Sequence, residues 1–167
     1  AEGIFGTDLH GLCTFCNTSC LSLLGYENEQ QLLGKNMHQL IHHTNAEGQL
    51  IDEKSCIIRK SIQDGEGIYV ESEIFWRKDG SSFDVLCHSY PQIKEGIVVG
   101  SVITFSNNTE RKANLAKIQY LSYHDQLTGL YNRAYFDDAL LSLDTSKNLP
   151  ISIIVGDVNG LKLTNDI

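Results

Sequence analysis

Between residues 68 and 105 the chain is built from extended, β-branched and aromatic segments divided by turn signals, which commits this part of the molecule to antiparallel sheet. Residues 68–77 and 82–90 flank Lys78-Asp79-Gly80-Ser81, a hairpin signal, and residues 96–105 carry the run Ile97-Val98-Val99-Gly100-Ser101-Val102-Ile103-Thr104-Phe105. Ahead of this meander the segments are shorter and mixed. Residues 3–8 and 12–15 read as strands around a turn at Asp8-Leu9-His10-Gly11, and Asn17 is placed to cap a helix over 18–24 that ends at Gly25. Two brief helical turns are predicted at 27–33 and 36–42, separated by Gly34. A longer helix is predicted over 52–63, closed by Asp64-Gly65-Glu66-Gly67. Two strands, a cluster of helices and three more strands make an antiparallel α+β domain.

At 167 residues the chain holds one domain of ordinary size and part of a second. Its net charge of −8, with no basic stripe, argues against a nucleic-acid surface, because phosphate contacts need clustered Lys and Arg. No apolar run approaches the roughly 18 residues of a membrane span, and the residues show no charged, apolar, small-residue pattern of a signal peptide, so this segment is expected to be soluble. Five irregularly spaced cysteines do not read as a disulfide framework, so the expected compartment is the reducing cytoplasm. The missing initiator Met and the stop just after Asn165-Asp166 suggest an excised segment, which leaves a membrane anchor upstream an open question.

Gly3-Ile4, Asp8 with Gly11, Cys13-Thr14-Phe15 leading to Asn17, Leu24-Gly25-Tyr26, Leu33-Gly34 and Trp76-Arg77-Lys78-Asp79-Gly80-Ser81 with Val85 follow one another in an order that resembles a PAS domain. Pro91 before the last strand and Thr109-Glu110-Arg111-Lys112 after it complete the pattern. The resemblance implies a PAS fold over residues 1–108, a five-stranded antiparallel sheet with flanking helices, followed by a signalling linker helix over 109–124 that Thr109, Glu110, Arg111 and Lys112 open. One departure stands out: Asn107-Asn108 occupy the place where the family usually has Asp-Ile. An amide keeps a hydrogen bond but not a charge-assisted one, so looser coupling between sensor and exit helix is expected. The linker lacks Gly and Pro and sets Leu115, Ile118 and Leu121 along one side. In the family such a helix pairs with its copy, which implies a homodimer through the PAS domain and linker. An amphipathic helix packed on its own domain is the alternative.

Farther on, His124-Asp125-Gln126-Leu127-Thr128-Gly129-Leu130-Tyr131-Asn132-Arg133 precedes a helical run. Residues 151–156 are then predicted to form an apolar strand that delivers Asp157 into Val158-Asn159-Gly160-Leu161-Lys162-Leu163-Thr164-Asn165-Asp166. This resembles the opening of a GGDEF domain, the diguanylate cyclase family, and implies an incomplete α/β domain over 125–167. A carboxylate held at the end of a buried strand suits a hard cation such as Mg²⁺. By the resemblance, Asp157 and the backbone carbonyl of Val158 ligate metal, Lys162 contacts GTP phosphates and Asn165 reads the guanine edge. The longer protein would then condense two GTP molecules into cyclic di-GMP, each of two facing domains holding one GTP with metal ions. For an isolated Asp and Lys, a turn cap and a solvated charge would be the better account. The complete Asp125-x-Leu127-Thr128-Gly129-Leu130-x-Asn132-Arg133 segment favours the cyclase. The Gly-Gly-Asp/Glu-Glu-Phe loop is not in the sequence, so this chain alone is expected to be inactive. The competing function is a PAS sensor attached to a degenerate GGDEF domain that serves nucleotide binding or dimerisation.

The sensed ligand is expected to be an unidentified small molecule or none, in an apolar pocket between the sheet and the helices of residues 36–63, or that space is filled by side chains. A flavin–cysteine adduct needs a Cys in the helix after the Gly34 turn, and Gly34-Lys35-Asn36-Met37-His38-Gln39-Leu40 has none. His38, His42 and His43 lie near the expected pocket as candidate haem ligands. Histidine at the position of His42 or His43 is ordinary in PAS sequences without haem, and haem is disfavoured. Cys13 and Cys16 fall on opposite faces of a strand and Cys20 on the next helix, a poor geometry for chelation, so these thiols are expected in the core. Cys56 and Cys87 are too distant in sequence to place. The output would be a shift of the linker helix that alters how two catalytic domains face each other.

Overall fold

In the computed structural model, which describes residues 1–156 with the side chains of Ile57 and Ile58 set aside, the chain divides into two compact units, residues 1–114 and the described residues from Leu115 onward. The first contains β1 (Glu2–Asp8), β2 (Cys13–Cys16), α1 (Thr18–Leu24), a 3-10 turn (Glu29–Gln31), α2 (Met37–Ile41), a second 3-10 turn (Glu53–Ser55), α3 (Ile57–Asp64), β3 (Ile68–Trp76), β4 (Ser82–Lys94) and β5 (Ile97–Asn107). Helix α4 (Thr109–Tyr123) begins in this unit, and α5 (Arg133–Leu143) belongs to the second. The five strands form one antiparallel sheet in the order β2-β1-β5-β4-β3. No helix among the described residues is long and apolar enough to cross a membrane.

Sequence chemistry accounts for the joints. The Asn17 side chain accepts from Cys20 N at 2.8 Å, capping α1, and from Ile4 N at 3.0 Å, so one amide fixes the helix start against β1. Gly25, at φ 75°, closes α1 in the left-handed conformation that favours glycine. β1 and β5 pair from Glu2↔Ser106 to Asp8↔Gly100, and a Cβ at Gly100 would lie 1.9 Å from the Thr7 carbonyl oxygen. Only glycine allows these two backbones to approach so closely. Arg77 fastens the β3–β4 hairpin to α1, its Nε donating to Leu23 O at 3.1 Å and its guanidinium lying 4.1 Å from the Phe83 ring centre.

The core lies between the sheet and the helices of residues 18–64. Phe5, Phe75 and Phe105 meet there at 5–6 Å between ring centres, with Leu24, Leu32, Met37, Ile41, Val85 and Ile103 fully buried around them. Cys13 and Cys20 are buried in this core and Cys16 packs against it; all five cysteines are free. Burial pushes the Cys13 thiol up to about 12 and the Cys20 and Cys87 thiols higher still, as expected of small apolar groups rather than reactive ones.

Three sequence expectations change. The helix expected over 52–63 is broken: Asp52 caps the 3-10 turn by accepting from Lys54 N at 2.9 Å, Cys56 is extended at ψ 133°, and α3 starts only after it. The meander is longer than expected, because Glu95 and Gly96, at φ 51° and 80°, make a two-residue turn that pairs Lys94 with Ile97. Residues 151–156 form no strand. Ile154 and Val155 are 95% and 87% exposed, and among the described residues no neighbouring strand takes up their backbone hydrogen bonds.

In the second unit Asn132 caps α5 by accepting from Tyr135 N at 3.1 Å. The Asp125 carboxylate accepts from Leu127 N and from both N and Oγ1 of Thr128, which holds the preceding loop.

Candidate functional site

Beneath the sheet, α2, the Cys56 break and β3 converge on one buried imidazole. His38 lies in α2 and His42 caps its C-terminus, an i, i+4 spacing that sets both rings on the same side of the helix, 5.9 Å apart. His42 is 1% exposed. Its Nε2 meets the Glu73 carboxylate at 3.0 Å and its Nδ1 shares a hydrogen bond with Cys56 Sγ at 3.1 Å. Its ring also packs edge-on against Phe75 at 5.8 Å.

The electrostatics arise from these contacts. Burial by itself lowers the His42 pKa, but the hydrogen bonds to Cys56 and Glu73 outweigh it and hold His42 up at about 9. The hydrogen bond from His42 keeps the Glu73 carboxyl below its ordinary range, against the opposing effect of burial. His38 is pushed down, first by burial and then by the neighbouring His42. Its Nε2 faces the Ile51 carbonyl oxygen at 3.1 Å, while its Nδ1 is buried without a hydrogen-bond partner. One potential ligand atom from each of His38, His42 and Cys56 lies within 4.8 Å of the others.

The haem candidates therefore separate. His38 and His42 come together, whereas His43 stacks on Trp76 at 5.2 Å, whose Nε1 donates to Thr44 O at 2.8 Å. Among the described residues Cys13, Cys16 and Cys20 make no metal-binding group. Cys56 and Glu73 were missed as site residues. They lie 14 and 31 positions from His42, and only the i, i+4 histidine spacing was visible locally.

A short irregular stretch of β3 links this cluster to the way out of the domain. The β3–β4 register shifts between Val70 and Glu73. Glu73 reaches inward to His42, while the Glu71 carbonyl accepts from Asn108 Nδ2 at 3.0 Å and Ser72 Oγ receives Lys112 Nζ. Lys112 also pairs with the Asp84 carboxylate on β4, and Asp84 N donates to Thr109 Oγ1 at 3.2 Å. Thr109, Glu110, Arg111 and Lys112 form the first turn of α4. The charge-assisted tie that Asn107-Asn108 cannot make is supplied by Lys112 and Asp84. Asp157, Val158, Lys162 and Asn165 lie outside the described residues.

A family model described as PAS domain matches residues 1–110. A PAS domain structure from Colwellia psychrerythraea superposes with a TM-score of 0.55 at 20% identity, covering 66% of this chain and 88% of that one. The light-state structure of the blue-light photoreceptor Aureochrome1 LOV gives 0.54 at 24% identity, covering 70% and 89%. At this identity the likenesses show the fold. The probable diguanylate cyclase DgcE of Escherichia coli (strain K12) is 25% identical over 169 residues, 99% of this chain, which spans 15% of that relative's length.

Proposed function

This chain belongs to the PAS domain family through residues 1–110, and from that premise we propose that it is the sensory module of a signalling diguanylate cyclase, with its input at the His42–Glu73 cluster and its output through α4. The observation that carries the reading is the β3 stretch 70–73, which holds Glu73 in the cluster and, one and two residues away, Ser72 and Glu71 against the α4 junction. A change in what His42 and Glu73 bind acts on the same few backbone units that fix the start of the helix, so two sites share one movable element.

The output surface in this reading is the exposed stripe of Leu115, Ile118 and Leu121, which are 55%, 64% and 39% exposed and would pair with a second copy of the helix. Downstream, Asp157 and the Val158 carbonyl would hold Mg²⁺, and Lys162 and Asn165 would hold GTP. The cyclase half is supported by the resemblance of residues 124–166 to that family and by the 25% identity to a probable diguanylate cyclase.

The test is to incubate the natural full-length protein that carries this chain with GTP and Mg²⁺ and to analyse the products by chromatography and mass spectrometry. Cyclic di-GMP that disappears in Asp157→Ala and changes in rate in Glu73→Gln supports the proposal. A folded, dimeric protein that binds GTP and makes none would make the second domain a non-catalytic nucleotide-binding or dimerisation module.

A further inference from the structure

Two imidazoles and a thiol that converge in a buried place, with the outer nitrogen of each ring already engaged, resemble a ligand set more than a packing accident. We propose that His38, His42 and Cys56 bind one divalent transition-metal ion of the zinc class, with a fourth position left for water or a small ligand. The inference deepens the sensor reading above, from which it takes only the location of the input.

Four observations support the site. First, the outer nitrogen of each ring is already held by an oxygen. Metal-binding histidines nearly always give their other ring N–H to a carboxylate or a backbone carbonyl, which fixes the tautomer and aims the lone pair inward. Here His42 Nε2 faces the Glu73 carboxylate at 3.0 Å and His38 Nε2 faces the Ile51 carbonyl at 3.1 Å. Both arrangements leave Nδ1 as the ligand atom. Second, His38 Nδ1 has no partner although the residue is only 9% exposed. A buried acceptor without a donor is costly, and a cation would satisfy it. Third, the spacing is close to what a metal needs. One potential ligand atom from each residue lies within 4.8 Å of the others, and His42 Nδ1 and Cys56 Sγ are already 3.1 Å apart. Bonds of about 2.0 Å to nitrogen and about 2.3 Å to sulfur set neighbouring tetrahedral ligands roughly 3.3–3.5 Å apart.

Fourth, the chemistry of the donors selects the ion. One thiolate and two imidazoles suit zinc and its neighbours, and they suit magnesium or calcium poorly. The charges also balance: a 2+ ion with the Cys56 thiolate, two neutral rings and the Glu73 carboxylate sums to zero, which a buried site requires. Binding releases the proton that His42 Nδ1 and Cys56 Sγ share, and the metal takes its place. Glu53 is not a ligand, since Asn36 and Arg59 already hold its carboxylate.

The experiment is a Co²⁺ titration of the chelator-stripped chain. The expected result is one equivalent bound, with a thiolate-to-cobalt charge-transfer band in the near ultraviolet, strong visible bands of tetrahedral Co²⁺, and displacement by Zn²⁺. Cys56→Ser should lose the charge-transfer band, and Cys16→Ser should keep it. Glu73→Gln should weaken binding about 10–100-fold. His38→Gln, which retains a donor for the Ile51 carbonyl, should weaken it at least as much. No thiolate band in the folded wild-type chain overturns the proposal, as does a band that survives in folded Cys56→Ser. Amide exchange in the first turn of α4, followed in the same titration, separates the two readings. A cobalt spectrum without any change in α4 supports the metal site and refutes the sensor path.

Discussion

A buried imidazole with a carboxylate on one nitrogen and a thiol on the other has no orientation left to choose. His42 is in that position, so removing either partner leaves a polar atom stranded. Glu73→Gln should lower the stability of the metal-free chain by about 1–3 kcal/mol in chemical denaturation, whereas Glu47→Gln, at an exposed loop position, should change it by less than about 0.5 kcal/mol. Equal effects would show that the His42–Glu73 contact contributes nothing specific. Gly100 is constrained differently, because its neighbour is backbone that cannot rotate away. Gly100→Ala should cost about 2 kcal/mol or more, and at Gly48, where φ is 78° and a Cβ meets nothing within 4 Å, alanine should cost only about 1 kcal/mol. At this scale the sequence was informative for caps and turns, where the partner lies a few positions away. Asn17 and Gly25 were legible for that reason. The Cys56 and Glu73 contacts to His42 were not, because they exist only once the sheet and helices have met.

Among the elements, the start of α4 shows how a missing residue can be replaced from elsewhere. The sequence motif placed the tie at residue 107, and the fold makes it between Lys112 and Asp84, supported by Asn108 on the Glu71 carbonyl. Both side chains of that ion pair remain partly exposed, 39% and 26%, so its strength should be modest. A double-mutant cycle with Lys112→Ala and Asp84→Asn should give a coupling below about 1 kcal/mol in global stability, together with faster amide exchange in the first turn of α4. Unchanged exchange would mean that the junction is held without this ion pair, by the Asn108 and Thr109 hydrogen bonds. The break at Cys56 teaches a related point. Periodicity over 52–63 favoured one helix, but Asp52 captures the Lys54 amide and the chain straightens at the residue whose thiol meets His42. Local pattern gave the helix type, and tertiary contact moved its start.

For the whole molecule, the decisive feature is that every fully buried core side chain among the described residues falls between Phe5 and Phe105. Residues 1–114 expressed alone should therefore unfold cooperatively within a few degrees of the complete chain by calorimetry. A broad, non-cooperative melt would show that the first unit depends on the second for its stability. The order of strands and helices was readable because each strand is bounded by turn residues. The 151–156 segment departs from its expected strand for the opposite reason: its apolar composition fits a buried strand, but a strand is a property of two chain segments and no pairing neighbour is found among the described residues. The Glu2↔Ser106 pair has a consequence of another kind. The sheet begins and ends on one rung, so its first and last strands lie about 5 Å apart there. A short Gly-Ser bridge between them, with new termini opened at the exposed Asn45–Gly48 turn, should yield a circular permutant that keeps the sheet and the His42 cluster, and the domain behaves topologically as a bead that can be threaded into another chain without separating the ends of its host.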